Sequence, residues 1–430
     1  MRECGILLPV ASLPSRYGIG AFSKEAFQFI DQLKEAGQQY WQILPLGPTG
    51  YGDSPYQAFS AFAGNPYFID LEQLTEEGIL TGEECGAVDF GENERYIDYG
   101  KLYEGRFPLL RRAYERWKQM EFADARAEAV HRLAEQRLRE ETREYCFYMA
   151  VKNAFGGRSW SLWDEDIRLG RAEAVQEYRR RLTDEIGFYE FQQMKFEEQW
   201  GRLKAYANER GIRIIGDIPI YVAFDGADSW LHPELFQFDE ENMPAAVAGC
   251  PPDAFSATGQ LWGNPLYRWE HHRKTGYAWW MRRMEYSFSL CDVVRVDHFR
   301  GFESYYSIPY GDATAENGHW EKGPGMELFE RMQEYFGKKR LPIIAEDLGL
   351  LTPAVHRLLR ASRFPGMKVL EFAFDDTENS DYLPHKYKEN CVVYTGTHDN
   401  DTAAGWFAAL GRHDRQFVRE YMGRRERGAK

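Results

Sequence analysis

The sequence predicts an α/β protein built as a (β/α)8 TIM-type barrel with insertions. Three observations predict it: short apolar runs alternate with longer helical patterns, polar residues end several of the runs, and the chain has 430 residues. Near-continuous apolar runs suit strands that are buried on both faces of a parallel sheet, and helices between them suit βαβ units. Barrels of this kind reach such lengths as single units. We therefore expect one catalytic barrel over residues 1–430.

Seven apolar runs are predicted as the strands of the barrel. They are residues 5–9, 40–46, 212–218, 292–297, 341–346, 369–374 and 391–396. A connecting helix is predicted at 24–36, because Phe27, Ile30 and Leu33 recur at spacings of three and Gly37 can end the helix. After Gly396 the chain offers one more helical pattern and a basic tail. The eighth strand is therefore predicted to be missing because the chain ends early.

Two stretches do not fit the simple repeat of strand and helix. Residues 47–100 are rich in Gly, Pro and aromatic residues, which predicts an irregular insertion over the barrel mouth. Residues 101–200 carry long charged helical patterns such as 123–145, which predicts a helical insertion between strands 2 and 3. The charge runs of this insertion are typical of solvated helix faces.

The composition of the chain indicates which classes of molecule it is unsuited to bind. A formal net charge of −14 argues against a nucleic-acid partner, since phosphate binding requires a basic surface. The six cysteines form no CxxC pair, no signal peptide is visible, and no apolar run approaches the roughly 18 residues of a membrane span. We expect a cytoplasmic protein without a membrane partner, and its oligomeric state is not predicted. Aromatic residues make up 15% of the chain, which suits sugar binding, although composition alone favours simple core filling.

Polar residues lie at the carboxyl ends of several predicted strands. They are Asp217, Arg295 with Asp297, Glu346, and His398 with Asp399. In a barrel these strand ends converge on one mouth, where catalytic residues collect. Each Asp alone is explained equally well as a helix N-cap. The carboxylates Asp297, Glu346 and Asp399 taken together favour an active site, because burying a carboxylate without a partner is costly.

Two carboxyl groups facing a glycosidic bond are the requirement for retaining glycoside chemistry, with one as nucleophile and one as acid/base. Arg295 lies two residues from Asp297, on the same strand face, where a cation favours the ionised nucleophile. A metal-dependent hydrolase is a weaker alternative, because His298 and His398 each adjoin an Asp but the first strand ends without histidine. No metal and no cofactor is required by the carboxylate chemistry.

From residue 5 to about residue 406 the chain resembles the 4-α-glucanotransferases, the amylomaltases and disproportionating enzymes that are relatives of the α-amylases. The resemblance is carried by GILLPVASLPSRYGIG (5–20), YWQILPLGPTGYGDSPYQ (40–57), GDIPIYVAFDGADSW (216–230), GCPPDAFSATGQLWGNPLY (249–267), DVVRVDHFRGF (292–302), IIAEDLG (343–349) and TGTHDND (395–401). These motifs are long, specific and in order.

The resemblance implies an enzyme that transfers α-1,4-glucan segments between maltooligosaccharides through a covalent glucosyl-enzyme. It makes Asp297 the nucleophile, Glu346 the acid/base, and Asp399 a residue that binds ring hydroxyls and distorts the sugar. Residues 249–264 would form a lid over the active site. The remaining implied sugar contacts are Arg295, His298, His398, Asp217, Tyr56, Asp253, Gln260, Trp262 and Asn264. Loop packing is the competing explanation for the aromatic members.

Two other functions stay open at this point. A retaining α-glucan hydrolase would use the same carboxylates, and a truncated, inactive fragment would at most bind glucan. Some polar residues are assigned to structure instead. Asp292 is one of them, Asp347 is expected to point away from the mouth by strand alternation, and the pair His271–His272 is expected at the surface.

Overall fold

The computed structural model of the chain describes residues 2–50, 52–91, 93, 95–121, 138–252, 256–349, 351–374 and 380–423. Most of the charged pattern at 123–145 and the predicted sugar contact Asp253 lie outside these ranges.

Parallel strands form the wall of the predicted barrel. They are β1 (Gly5–Leu7), β2 (Tyr40–Gln42), β3 (Arg213–Ile218), β6 (Val293–Val296), β9 (Ile343–Ala345), β10 (Gly366–Val369) and β11 (Cys391–Tyr394). Five of them pair in the order β1-β2-β3-β6-β9, and β10 pairs with β11. The backbone N–H of Ala345 donates to the Pro365 carbonyl at 2.9 Å, which joins β9 to the start of β10. In the described part of the chain, β1 and β11 each pair with one neighbour.

One of the seven predicted strands is misplaced. The run 369–374 is not a strand, because β10 ends at Val369 and Leu370–Phe374 forms a 3-10 helix. Its apolar residues Ala373 and Phe374 are buried against the C-terminal part of the chain, in a cluster with Leu383 and Val418. These residues are therefore apolar because they pack in this C-terminal cluster, and not because they belong to a strand of the barrel wall.

A second sheet covers part of the barrel mouth and is antiparallel. Its strands are β4 (Ala246–Cys250), β5 (Gln260–Pro265), β7 (Ser304–Pro309) and β8 (His319–Lys322), in the order β5-β4-β7-β8. The segment 249–264, predicted as a lid loop, thus begins in β4 and ends in β5, with residues 251–259 between the two strands. Gly249 pairs with Leu261 on one side and with Tyr306 on the other. The sequence did not indicate these strands, because the partner strand β7 lies far along the chain.

Helices connect and surround the strands. They are α1 (Lys24–Glu35), α2 (Leu71–Glu76), α3 (Gly82–Gly86), α4 (Tyr99–Glu121), α5 (Glu140–Ala154), α6 (Glu165–Arg168), α7 (Ala172–Arg181), α8 (Thr183–Glu209), α9 (Ala227–Leu231), α10 (Trp269–Lys274), α11 (Ala278–Leu290), α12 (Met326–Tyr335), α13 (Pro353–Ser362), α14 (Ala403–Ala409) and α15 (Arg412–Tyr421). The predicted helix at 24–36 is confirmed as α1. Its residues Ala26, Ile30 and Leu33 are buried, and Gly37 follows it with a φ of +71°.

The segment between β2 and β3 is irregular over a shorter range than predicted. Among the described residues of 47–65, the one regular pairing is the isolated bridge between Thr49 and Ala58, whereas α2 and α3 follow within the stretch that was expected to be irregular. The Asp70 side chain caps α2, and Thr81 begins a capping box for α3. These caps stabilise helices that are too short to show an apolar period. The longer helices α4, α5, α7 and α8 then lead to β3.

The polar residues that were predicted to have structural and not catalytic roles agree only partly with that prediction. Asp292 accepts a hydrogen bond from the Ile214 N–H at 2.7 Å, and Asp347 accepts one from the Met367 N–H at 2.6 Å, as structural residues do. His272 is fully buried, so its expected surface position is wrong. Its ring packs edge-on against Tyr267 because α10 turns one side to an aromatic cluster, which its polar sequence neighbours do not reveal. Among the described helices, none has the length and apolar character required to cross a membrane.

Candidate active site

The predicted polar residues meet at the carboxyl ends of neighbouring strands. Asp217 on β3 lies directly beside Arg295 on β6 in the parallel register, and Arg295 lies beside Ile344 on β9. Glu346 directly follows β9. Ile215, Ile344 and Met367 form a buried apolar cluster beside these polar groups.

Arg295 joins two of the carboxylates. Its Nη1 lies 2.7 and 2.8 Å from the two carboxylate oxygens of Asp217, and its Nη2 lies 2.8 Å from Oδ1 of Asp297. Burial opposes the charge of the guanidinium, but Asp217 and Asp297 outweigh burial and raise the pKa of Arg295 above its ordinary value. Asp217 is completely buried, whereas the Asp297 side chain is 32% exposed. Arg295 therefore fixes one oxygen of Asp297 and leaves the carboxylate open towards the mouth.

Tyr56 connects this ion pair to the loop after β11. Its hydroxyl donates to Oδ2 of Asp217 at 2.8 Å and lies 2.9 Å from Nε2 of His398. Because the Tyr56 hydroxyl donates its hydrogen bond to Asp217, its oxygen can accept a hydrogen bond from His398. Burial and the Asp217 charge raise the pKa of Tyr56, so its hydroxyl stays protonated. Asp399 lies 3.3 Å from His398 Nε2 with its side chain 75% exposed, at the outer end of this chain of contacts.

Glu346 is held by two backbone donors. Oε2 accepts from the His298 N–H at 2.8 Å, and Oε1 accepts from the Leu348 N–H at 2.7 Å. Burial, followed by the Asp297 charge, raises the pKa of Glu346 from 4.5 to about 7 despite these donors. A carboxyl group that is half protonated near neutral pH suits both donation and acceptance of a proton.

His298 has a left-handed backbone, with φ +50° and ψ +50°. This conformation is costly for a residue with a side chain, and here it turns the His298 N–H towards Glu346. The imidazole packs edge-on against Trp262 with ring centroids 4.9 Å apart. Burial lowers the pKa of His298 to about 4, so the ring is neutral. Its Nε2 is buried and has no hydrogen-bond partner among the described residues.

The predicted lid residues occupy different positions. Trp262 lies above His298 and donates its indole N–H to Oε1 of Gln260 at 3.0 Å. Asn264 is only 5% exposed, and its side-chain amide is bonded to the Val222 carbonyl and to Gln57. Gln260 and Trp262 are thus placed at the mouth, whereas the polar atoms of Asn264 are already occupied by the protein. The structure does not describe Asp253.

Several contributors to this site were missed from the sequence. Gln57 contacts the lid, Met367 Sδ accepts from Arg295 Nε at 3.3 Å, and the N–H groups of His298 and Leu348 hold Glu346. Gln57 directly follows Tyr56 in its motif, so its position was a usable signal. The backbone donors leave no trace in residue identity.

The arrangement supplies what glycosyl transfer requires. An arginine-bound carboxylate with an accessible oxygen can attack, and a carboxyl group with a pKa of about 7 can give and take a proton. A neutral histidine and a tryptophan line the same mouth and can bind sugar hydroxyls and ring faces.

Comparison with known proteins agrees with this chemistry. The sequence pattern of the family described as 4-alpha-glucanotransferase matches residues 8–430. The 4-alpha-glucanotransferases of Clostridium butyricum and Thermus thermophilus are 47% and 48% identical to the chain, covering 96% and 98% of it and 84% and 83% of their own lengths. The solved amylomaltase from Streptococcus agalactiae in complex with acarbose superposes with a TM-score of 0.94 at 42% identity, covering 100% of this chain and 86% of that one.

Proposed function

The chain belongs to the 4-alpha-glucanotransferase family, and from this premise we propose how its own residues perform the transfer. It is a glycosyl-transferring enzyme that works by a retaining mechanism. The substrate we assign to it is an α-1,4-glucan or maltooligosaccharide, supported by the acarbose bound to the amylomaltase relative. The observation that carries the assignment of roles is the pairing of an arginine-bound Asp297 with a Glu346 whose pKa is about 7.

In the first step Asp297 is the nucleophile. Its free carboxylate oxygen attacks the anomeric carbon of the donor sugar, and Arg295 keeps the other oxygen in place. Glu346 gives its proton to the glycosidic oxygen, so the bond to the leaving sugar breaks and that sugar departs with a 4-hydroxyl group. The donor segment remains attached to Asp297 as an ester.

In the second step Glu346 acts as the base. Part of the rise in its pKa comes from the negative charge of Asp297, and this charge disappears when Asp297 becomes an ester. The pKa of Glu346 then falls, which favours the carboxylate that takes the proton from an incoming 4-hydroxyl. The oxygen of that hydroxyl displaces Asp297, and an α-1,4 bond forms again.

The surrounding residues bind the donor sugar. We assign Asp217, Tyr56 and His398 to the wall of the donor subsite, because one hydrogen-bonded chain fixes them against Arg295. Asp399 extends this wall with an exposed carboxylate that can accept from ring hydroxyls. The unpaired Nε2 of His298 is assigned to a further hydroxyl.

The roof of the site favours transfer over hydrolysis. Trp262 covers His298, and its strand belongs to the antiparallel sheet at the mouth. A tryptophan at this place excludes water from the ester and offers an aromatic face to an acceptor sugar. Gln260 and Asp253 are assigned to the acceptor on the basis of the family resemblance. Localisation in the cytoplasm stays a prediction from composition.

The test is incubation of the purified chain with maltotriose, followed by chromatography of the products over time. Glucose together with maltopentaose and longer chains is expected, and Asp297→Asn should abolish all of them. Glucose and maltose without longer chains would identify a hydrolase. Longer chains formed by Asp297→Asn would contradict the assigned nucleophile, and no products from the unaltered protein would contradict the proposed function.

A further inference from the structure

We infer that Asn264 is a positioning residue that clamps the lid strand to the loop carrying Tyr56, and that this clamp sets the preference for a sugar acceptor over water. The inference rests on the proposed transferase function. It assigns to Asn264 a role through other residues, in place of the direct sugar contact that the family resemblance implied.

The clamp is a reciprocal pair of side-chain amides. Gln57 Nε2 donates to Asn264 Oδ1 at 3.1 Å, and Asn264 Nδ2 lies 3.4 Å from Gln57 Oε1. Asn264 Nδ2 also donates to the Val222 carbonyl at 2.8 Å. A single buried amide on β5 therefore joins the loop that contains Tyr56 and the segment that follows β3. Each of its polar atoms has a protein partner, so a sugar would have to displace one of them.

Two proposed substrate-binding aromatics are next to this clamp in the chain. Tyr56 directly precedes Gln57, and Trp262 lies two residues before Asn264 on β5, although Gly263 between them has a φ of +76° and the pairing with β4 is irregular there. Tyr56 holds the donor wall through Asp217, and Trp262 forms the roof over His298. The amide pair therefore fixes the separation between the wall and the roof.

The loop of Tyr56 depends on such bonds because it is incompletely packed from below. A cavity of about 70 Å³ lies beneath it, lined by Leu46, Tyr56, Ala58, Asp217 and Val222 among others. The far end of the loop is anchored to α9, since the Ala61 N–H donates to Asp228 at 2.9 Å and the Ala227 N–H donates to the Phe59 carbonyl at 2.8 Å. Among the described residues of the loop, no hydrogen bond joins the part near Tyr56 to α9; Tyr56 is held by Asp217 and His398, and the Gln57–Asn264 pair joins this part to the lid strand.

Loss of the clamp should separate roof from wall and admit water to the covalent intermediate. The experiment measures the ratio of transfer to hydrolysis for Asn264→Ala and Gln57→Ala with maltotriose. Transfer is measured as the longer chains formed, and hydrolysis as the net increase in reducing ends. We expect the ratio to fall about 5- to 30-fold, the effect of losing one buried hydrogen-bonded contact. The exchanged pair Gln57→Asn with Asn264→Gln keeps two facing amides of the same combined length and should recover most of the ratio.

Gln199→Ala is the matched control. Gln199 is also a buried amide, and it exchanges two hydrogen bonds with the backbone of Asp70 from the outer helix α8. We expect this variant to lower the melting temperature without changing the ratio. An unchanged ratio in both Asn264→Ala and Gln57→Ala, or an equal fall in Gln199→Ala, would overturn the inference. Absence of longer chains from the unaltered protein would instead refute the proposed function.

Discussion

The raised pKa of Glu346 predicts where activity is lost as pH rises. The first step needs protonated Glu346, whose pKa is about 7 because the group is buried and faces Asp297. The protonated fraction is about one half at pH 7 and about one tenth at pH 8, so kcat/KM should fall about tenfold for each further pH unit. The assay is the initial rate of maltotriose disproportionation at low substrate concentration between pH 5 and 9.

A donor that needs no acid isolates the group responsible. α-Maltosyl fluoride loses fluoride without protonation, so formation of the glucosyl-enzyme from it should show no decline around pH 7. Replacing Glu346 by Ala should cost about 10²- to 10⁴-fold with maltotriose and much less for fluoride release. A decline that is centred near pH 9, or one that is equal for both donors, would show that Glu346 is not the acid that limits the rate.

Four further outcomes are expected. Asp297→Asn should leave the fold intact and trap no glucosyl-enzyme from α-maltosyl fluoride in rapid-quench mass spectrometry; a trapped ester would exclude this nucleophile. Arg295→Lys keeps the charge but loses charge-assisted hydrogen bonds worth about 1.5–3 kcal/mol each, so kcat/KM should fall at least about 100-fold; near-normal activity would refute the bridging role. His298→Gly should be more stable than His298→Ala by about 1 kcal/mol in urea unfolding, because only Gly accepts the positive φ without strain, and equal stabilities would speak against it. Two glutamates outweigh burial and raise the pKa of His232 from 6.5 to about 10. The protonated histidine therefore stabilises the folded state fully below pH 6.5, and this stabilisation is lost as pH rises towards 10. His232→Gln should flatten the plot of unfolding free energy against pH over that range, and an unchanged plot would contradict the assignment.

Much of the barrel was predictable because its signal is local. The strands β3 and β6 are short apolar runs that end in charged residues, and the start and end of α1 follow from apolar spacing and Gly37. The grouping of Asp217, Arg295 and Asp297 was predictable because parallel strands bring their carboxyl ends to one edge.

Features that depend on distant partners were not predictable. The strand β4 pairs with β7, and no local pattern reveals that pairing. The burial of His272 depends on aromatic residues that approach from other parts of the chain. One of the two backbone donors that hold Glu346 is the N–H of His298, whose left-handed conformation a histidine in the sequence does not indicate.

The antiparallel sheet at the mouth links the roof of the site to its nucleophile. Strand β4 of the roof pairs with β7, which begins at Ser304, only a short 3-10 helix beyond Asp297. The sheet that carries Trp262 is therefore joined, through β7 and the short helix before it, to the segment that carries Asp297. Attempts to alter acceptor choice should accordingly vary the connection at 251–259 and leave the paired strands unchanged.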